Sequence, residues 1–350
     1  MKALVLMAGR GLGGDAVVTL NVIRALEERG VQCELALDEN SPGVLFKKKG
    51  YTWHKIKIPQ AGGHAATKLS AMKAAFKMLT ATFKVRRLIK KLDVDFIVGV
   101  IGGGAIVGSV GAKLSNTPAA SVICTPLDSK VCSKFNPCFA LPETSLFRQD
   151  VLPDNIQKTY FPINADVNDG NAEVAFKKLK EKPLFDENKK TILFSSGSSI
   201  FKGIIDAANK FAEYSNGKYN ILLIGLPLKD DYLDGLHENI IYLGYVDWLK
   251  DLYAFLDLAV LTDDGLMVEE SVACELPTVA LTRVKWGRYH NMAGIFEGAV
   301  IESELDESNE RIMEALNKLD SLKEASKKYS SNLVHSKEIL ADKILEAVKK

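Results

Sequence analysis

The sequence predicts an α/β protein built from two doubly wound parallel-sheet domains. Three observations carry this. Short apolar runs alternate with helix-spaced segments from the first residues onward. The alternation stops at a proline-rich interval and then restarts. Each half opens on an apolar run that leads into a glycine or serine turn and then a helix. The 350 residues suit two domains at roughly 100–200 residues each.

In the first half, Lys2–Met7 reads as a buried strand. Its apolar run is too short for a secretion signal and leads directly into Gly9, Gly11, Gly13 and Gly14. Val17, Leu20, Ile23 and Leu26 fall at helical spacing, which predicts a helix over Ala16–Arg29 with Gly30 as its C-terminal stop. Val31–Leu37 reads as a second strand and Phe96–Val100 as another. Gly102–Gly104 then opens a helix through Ala112, and Pro118–Cys124 is a further strand. Residues 126–165 hold five of the 11 prolines and are expected to be irregular.

The rhythm restarts with a strand at Thr191–Phe194, a Ser/Gly turn, a helix from Gly203 to about Tyr214, and a strand at Tyr219–Gly225. Ile240–Leu243, Leu256–Leu261 and Thr278–Thr282 follow as strands, and Glu307–Lys350 as terminal helices with a Lys/Glu face. The expected division is 1–164, 165–330 and a C-terminal helix over 331–350.

Composition narrows the function. Lys plus Arg is 45 and Asp plus Glu is 44, so the net charge of +1 argues against a nucleic-acid partner bound over a whole domain. No apolar stretch reaches the ~18 residues of a membrane-spanning helix. The five cysteines are odd in number and contain no CxxC, so neither a disulfide framework nor a zinc site is expected. Cys132 and Cys138 are either ordinary thiols or a redox pair or half a metal site. The expected location is the cytoplasm.

Five segments can carry chemistry. Gly9, Gly11 and Gly14 match G-x-G-x-x-G, with Glu34 and Asp38 as the acids a dinucleotide site would use. A tight packing turn or a site for another anion fits the same glycines. Asp15 sits where a helix dipole favours an acid, and is also a candidate general base. Gly102, Gly103 and Gly104 imply close approach of a ligand or of another backbone. Ser195–Ser199 (SSGSS) suits a phosphate or an N-cap turn.

The fourth segment is the most specific. Thr262-Asp263-Asp264-Gly265 leads into Glu269 and Glu270, with Pro277 opening the next strand. An acid on a helix at the carboxyl end of a strand can accept the two hydroxyls of a ribose. Asp263 and Asp264 are weak metal candidates, since nothing else has ligand spacing. The fifth is His64–Leu92, with eight Lys/Arg and no acid. Phe76, Leu79, Phe83, Lys84 and Arg87 belong to an amphipathic helix that suits an anionic bilayer, or a core helix with a solvated basic face.

With these residues in view, the chain resembles MurG-like GT-B glycosyltransferases, which transfer N-acetylglucosamine from its UDP derivative to a lipid-linked sugar. The resemblance implies two Rossmann-like domains facing a cleft, the first on the acceptor and membrane side and the second binding the nucleotide sugar. Asp15 stands where the family has histidine. Gly11, Gly13, Gly14 and Gly102–Gly104 resemble its two N-terminal glycine loops, and Ser196, Gly197 and Ser198 its donor loop. Tyr245 and Val246 resemble its uracil-contacting backbone, and Glu270 its ribose-binding glutamate.

Asn291 matches the asparagine of the family's QQxxNA donor-sugar element, where Gly287 and Arg288 replace the two glutamines. Arg288 can pair with a carboxylate or a pyrophosphate. The family's membrane patch falls in the region of His64–Leu92. These likenesses imply metal-independent, inverting transfer from a UDP-sugar co-substrate to a polyprenyl-linked acceptor, with Asp15 as the base. The protein would be peripheral on the inner face of the cell membrane and act in cell-wall or surface glycan synthesis. A nucleotide-sugar epimerase of the same architecture and a degenerate membrane-bound scaffold are the alternatives.

Overall fold

The computed structural model describes residues 1–9, 13–58, 68–142, 153–263, 265–284 and 290–349, with side chains left out at 68–76 and 230. The chain divides into two compact units, Met1–Pro162 with Ser336–Lys350, and Ile163–His335.

The first unit opens with β1 (Lys2–Met7), α1 (Gly14–Glu27), β2 (Gln32–Asp38), α2 (Val44–Lys48) and β3 (His54–Ile56). It continues with α3 (Lys68–Leu92), β4 (Phe96–Val100), α4 (Gly103–Ser115), β5 (Ala119–Ile123), α5 (Pro126–Cys132), β6 (Cys138–Ala140) and β7 (Ile156–Lys158). The strands form one parallel sheet in the order β3-β2-β1-β4-β5-β6-β7. β4 and β5 are buried along their whole length, as expected of strands covered by helices on both faces. The order reverses between β1 and β4, so the turn after β1 and the glycine turn after β4 lie at the topological switch point.

One expectation changes here. Residues 126–165 contain α5, β6 and β7 rather than irregular chain alone. Pro126 sits in the first turn of α5, where its missing N–H is no loss, and Thr125 with Asp128 completes a capping box. The two strands have only three residues each, too few for a period to register.

The second unit contains α6 (Ala172–Lys180), β8 (Thr191–Ile200), α7 (Lys202–Ser215), β9 (Asn220–Pro227), β10 (Ile240–Gly244), α8 (Leu249–Phe255) and β11 (Leu258–Thr262). Next come α9 (Leu266–Ala273), β12 (Thr278–Leu281), α10 (Met292–Ile295), β13 (Val300–Ser303), α11 (Ser308–Asn317) and α12 (Leu319–Val334). Its parallel sheet runs β10-β9-β8-β11-β12-β13, with the switch point between β8 and β11. Phe194, Ile204, Ala208, Phe211, Leu223 and Val260 are among the buried side chains that form its core.

The Ser/Gly segment is not a simple turn. β8 continues through it to Ile200 with a bulge, because Ser195 pairs with Ile224 and Ser199 with Leu226. Gly225, at φ +118°, makes this possible: a Cβ there would lie 2.6 Å from the Gly197 carbonyl oxygen.

The chain then returns to the first unit as α13 (Ser336–Lys349), which buries Leu340, Ala341, Ile344 and Val348. Arg29 fastens it, holding both carboxylate oxygens of Asp342 and donating to the Glu338 carbonyl at 3.0 Å.

Candidate functional site

In the first unit, the turn after β1 delivers Gly13 (φ +83°) as the N-cap of α1, with no capping side chain. Asp15 is exposed in the first helical turn, where the dipole favours its negative charge. Gly14 is exposed beside it, and Gly11 lies outside the described residues.

The second glycine turn has a packing explanation for part of its composition. A Cβ on Gly104 would lie 2.8 Å from the Leu6 carbonyl oxygen and from the Met7 Cα, so only glycine lets α4 rest on β1. Gly103 is buried within α4, whereas Gly102 needs its left-handed φ of +55° and has open space around its Cβ position. The Gly102 N–H donates to Asp128 Oδ2 at 2.8 Å. Asp128 is fully buried and also accepts from the N–H groups of Cys124, Thr125 and Ser129. Burial raises its pKa and these backbone donors oppose the rise. Asp128 was not singled out from the sequence, although Thr125-Pro-Leu-Asp128 carries a capping-box signal.

α3 has two faces. Ala81, Val85 and Ile89 are buried, and Gly111 on α4 has no room for a Cβ because Val85 Cγ1 would lie 2.7 Å away. Leu79 and Phe83, one turn apart, are 53% and 50% exposed. Lys77, Lys84, Arg87, Lys90 and Lys91 are exposed along the same helix. The side chain of Phe76 is outside the described residues. No described helix is long and apolar enough to cross a membrane.

Four groups in the second unit stand at carboxyl ends of strands. Tyr245 is 65% exposed and Val246 partly so, directly after β10. In the β8 bulge, the Ser196 hydroxyl donates to the Ser199 carbonyl at 2.8 Å and accepts from the Phe201 N–H at 3.0 Å. Its hydroxyl therefore shapes the bulge. The Gly197 N–H donates to Ser195 Oγ at 3.1 Å, and Ser198 is exposed.

The third group is Glu270 on α9, half-buried, with Oε2 3.1 Å from the Tyr253 hydroxyl, which donates. Burial pushes the Glu270 carboxyl up to about 7, and the Tyr253 hydrogen bond partly opposes this. Burial and the Glu270 charge raise the Tyr253 hydroxyl well above its ordinary range, so it remains a donor. Tyr253 was missed from the sequence, where α8 shows only helical spacing.

The fourth group is Asp263 at the end of β11. It is 2% exposed, and its carboxylate accepts from the His290 N–H at 2.5 Å and the Met292 N–H at 2.9 Å. Asn291 lies between those two residues, with φ +52°, and its side-chain oxygen accepts from the Gly294 N–H to cap α10. Gly287, Arg288 and Asp264 lie outside the described residues. The weak metal reading of Asp263 gives way to this anchoring role. Among the described residues no group of three or more His, Cys, Asp or Glu gathers as a metal site. None of the five cysteines forms a disulfide, and Cys132 and Cys138 are both buried, with the Cys132 thiol pushed up to about 12 by burial. That environment suits ordinary core thiols better than a reactive pair.

The structure thus joins Asp263 to the Asn291 segment and Glu270 to α8, while Ser195 Oγ contacts Met267 Sδ at 3.4 Å and ties the bulge to α9. Two parallel sheets, each with a switch point, give the chain a GT-B-like architecture. The N-terminal domain of glycosyltransferase family 28 matches residues 5–120. A Clostridium tetani UDP-N-acetylglucosamine--N-acetylmuramyl-(pentapeptide) pyrophosphoryl-undecaprenol N-acetylglucosamine transferase is 25% identical over 64% of this chain and 62% of its own length. The Shewanella violacea enzyme of the same name is 24% identical over 79% of this chain and 76% of its own.

Among solved structures, Acinetobacter baumannii MurG superposes with a TM-score of 0.67 at 17% identity, covering 99% of this chain and all of its own. Anabaena Alr3699/HepE in complex with UDP superposes at 0.71 with 15% identity, covering 99% and 100%. The chain is thus similar to the MurG-like glycosyltransferases of family 28, as a distant relative of MurG over most of its length.

Proposed function

We propose that the protein transfers a sugar, an N-acetylhexosamine, from a UDP-sugar to a lipid-linked acceptor. The observation that carries this reading is Glu270, a half-buried carboxylate in the second turn of α9, the helix that follows β11, steadied by the Tyr253 hydroxyl. A carboxylate so placed can accept both ribose hydroxyls. The transferase names of the relatives, and the UDP bound by the Anabaena protein, support the same ligand class.

In this reading Tyr245 and Val246 border the uracil, and the backbone around Ser196, Gly197 and Ser198 faces the diphosphate. Asn291 and Arg288 serve the donor sugar. An acceptor hydroxyl oxygen bonds to the anomeric carbon as the bond from that carbon to the UDP oxygen breaks, and UDP leaves with the electron pair. Asp15 accepts the hydroxyl proton, and the glycine turns Gly11–Gly14 and Gly102–Gly104 serve the acceptor. The route inverts the anomeric centre and calls on no metal.

Leu79, Phe83, Lys84 and Arg87, with Phe76, are the proposed contact with the cytoplasmic face of the membrane, which would bring the enzyme to a polyprenyl-linked acceptor in surface glycan synthesis. Calorimetric titration with UDP tests the core of the reading: binding by the wild type that is lost in Glu270→Ala supports it, and absence of wild-type binding overturns it.

A further inference from the structure

Asn291 holds a left-handed backbone conformation, one that asparagine tolerates better than other residues with a Cβ. Its φ of +52° and ψ of +49° are those of a single left-handed residue at the entry to a helix. It opens a helix of only four residues, too short to hold its own first turn. Local capping contributes: Asn291 Oδ1 accepts from the Gly294 N–H at 3.2 Å, and a Cβ at position 294 would lie 2.4 Å from Asn291 Nδ2.

The larger restraint comes from 28 positions earlier in the chain. Asp263 Oδ2 accepts from the residue before Asn291 and Oδ1 from the residue after it, so one buried carboxylate brackets the left-handed position. Asp263 is itself rigid, because its N–H donates to the Leu281 carbonyl at 3.0 Å and extends the β11–β12 ladder by one bond. Hydrogen bonds to an ionised acceptor are about twice as strong as neutral ones, and here both oxygens are engaged.

We propose that Asp263 is a positioning residue for donor-sugar recognition, holding the His290–Met292 backbone so that Asn291 is set for the sugar before the ligand arrives. This rests on the reading of the second unit as a UDP-sugar site. Asp263 touches no substrate in this account and acts through Asn291. An aspartate is suited to the role because a neutral side chain with one acceptor oxygen would hold one of the two N–H groups.

The test compares affinities for UDP and for UDP-sugars by calorimetry, in the wild type and in Asp263→Asn, Asp263→Ala and Asn291→Ala. UDP-N-acetylglucosamine and UDP-glucose are the probes, and the tighter of the two is followed. Asp263→Asn should weaken the UDP-sugar by about tenfold, and Asp263→Ala and Asn291→Ala by at least as much, while UDP itself stays within about twofold of wild type. Retained UDP binding also reports that the unit is folded.

Hydrogen exchange at the His290 and Met292 amides should quicken in both Asp263 variants. Equal weakening of UDP and UDP-sugar, or no weakening of either, overturns the inference while leaving the donor reading in place. A wild type that binds UDP but neither UDP-sugar overturns the inference as well. A wild type that binds no UDP removes the donor reading and the inference with it, and is distinguished by appearing before any variant is made.

Discussion

The Tyr253 hydroxyl and the Glu270 carboxylate, brought together from α8 and α9, form a 3.1 Å hydrogen bond in which the tyrosine donates. One carboxylate oxygen is thereby held and the side chain's rotation is restricted. Because burial raises the Glu270 pKa to about 7, this pair links ligand binding to pH within the physiological range.

The sign follows from the charge state. Ribose hydroxyls donate to the ionised carboxylate, so UDP affinity should fall as pH drops below about 7. In the unliganded protein the sign is opposite. The folded pKa lies above the ordinary 4.5, so the stability associated with Glu270 is fully present below 4.5 and is lost as pH rises through about 7. Titrating UDP between pH 6 and 8 measures the first effect, and urea midpoints between about pH 4.5 and 8 measure the second. Tyr253→Phe removes a group that lowers the Glu270 pKa, so the midpoint for UDP binding should move to higher pH.

Gly104→Ala should destabilise the first unit by about 1–3 kcal/mol, since its Cβ meets β1 backbone that cannot move aside. Gly102→Ala has space for its Cβ but must hold φ +55° and ψ −124°, and should lose about 1–3 kcal/mol through backbone strain alone. Denaturant midpoints of the two variants separate packing from backbone strain.

Asp128→Ala removes the capping-box partner of α5 and the acceptor for the Gly102 N–H together. A loss of about 2 kcal/mol or more is expected, larger than for a single cap, because four N–H groups lose one carboxylate. Hydrogen exchange at Gly102 reads the local part of the effect and a denaturation curve the global part.

Leu79→Glu with Phe83→Glu should leave stability within about 0.5 kcal/mol, because both side chains are half exposed. Cosedimentation with vesicles containing anionic lipid should fall sharply in this double variant. In Lys84→Glu with Arg87→Glu, binding should fall too, and what remains should respond less to salt. Unchanged cosedimentation in both variants would remove α3 as the membrane contact.

Much of the fold was legible because parallel strands buried on both faces are short apolar runs, and Lys2–Met7, Phe96–Val100 and Leu258–Thr262 are of that kind. β6 and β7 were not legible, since three residues cannot display a period. The β8 bulge was not either, because its cause is Gly225 on the neighbouring strand rather than anything in SSGSS itself. In the candidate site, Glu270 could be marked by its distance from Pro277. Tyr253 and the anchoring role of Asp263 depend on partners 17 and 27–29 residues away, which no local pattern encodes.

The return of α13 to the first unit orders events during synthesis. Ile163–His335 is a continuous stretch and can close its sheet as soon as it clears the ribosome. The first unit, begun earlier, must wait for Ser336–Lys349 before α1 gains its neighbour and Arg29 meets Asp342. The unit translated first is therefore the one completed last, and a nascent chain halted before residue 336 would present the uncovered side of α1 to chaperones.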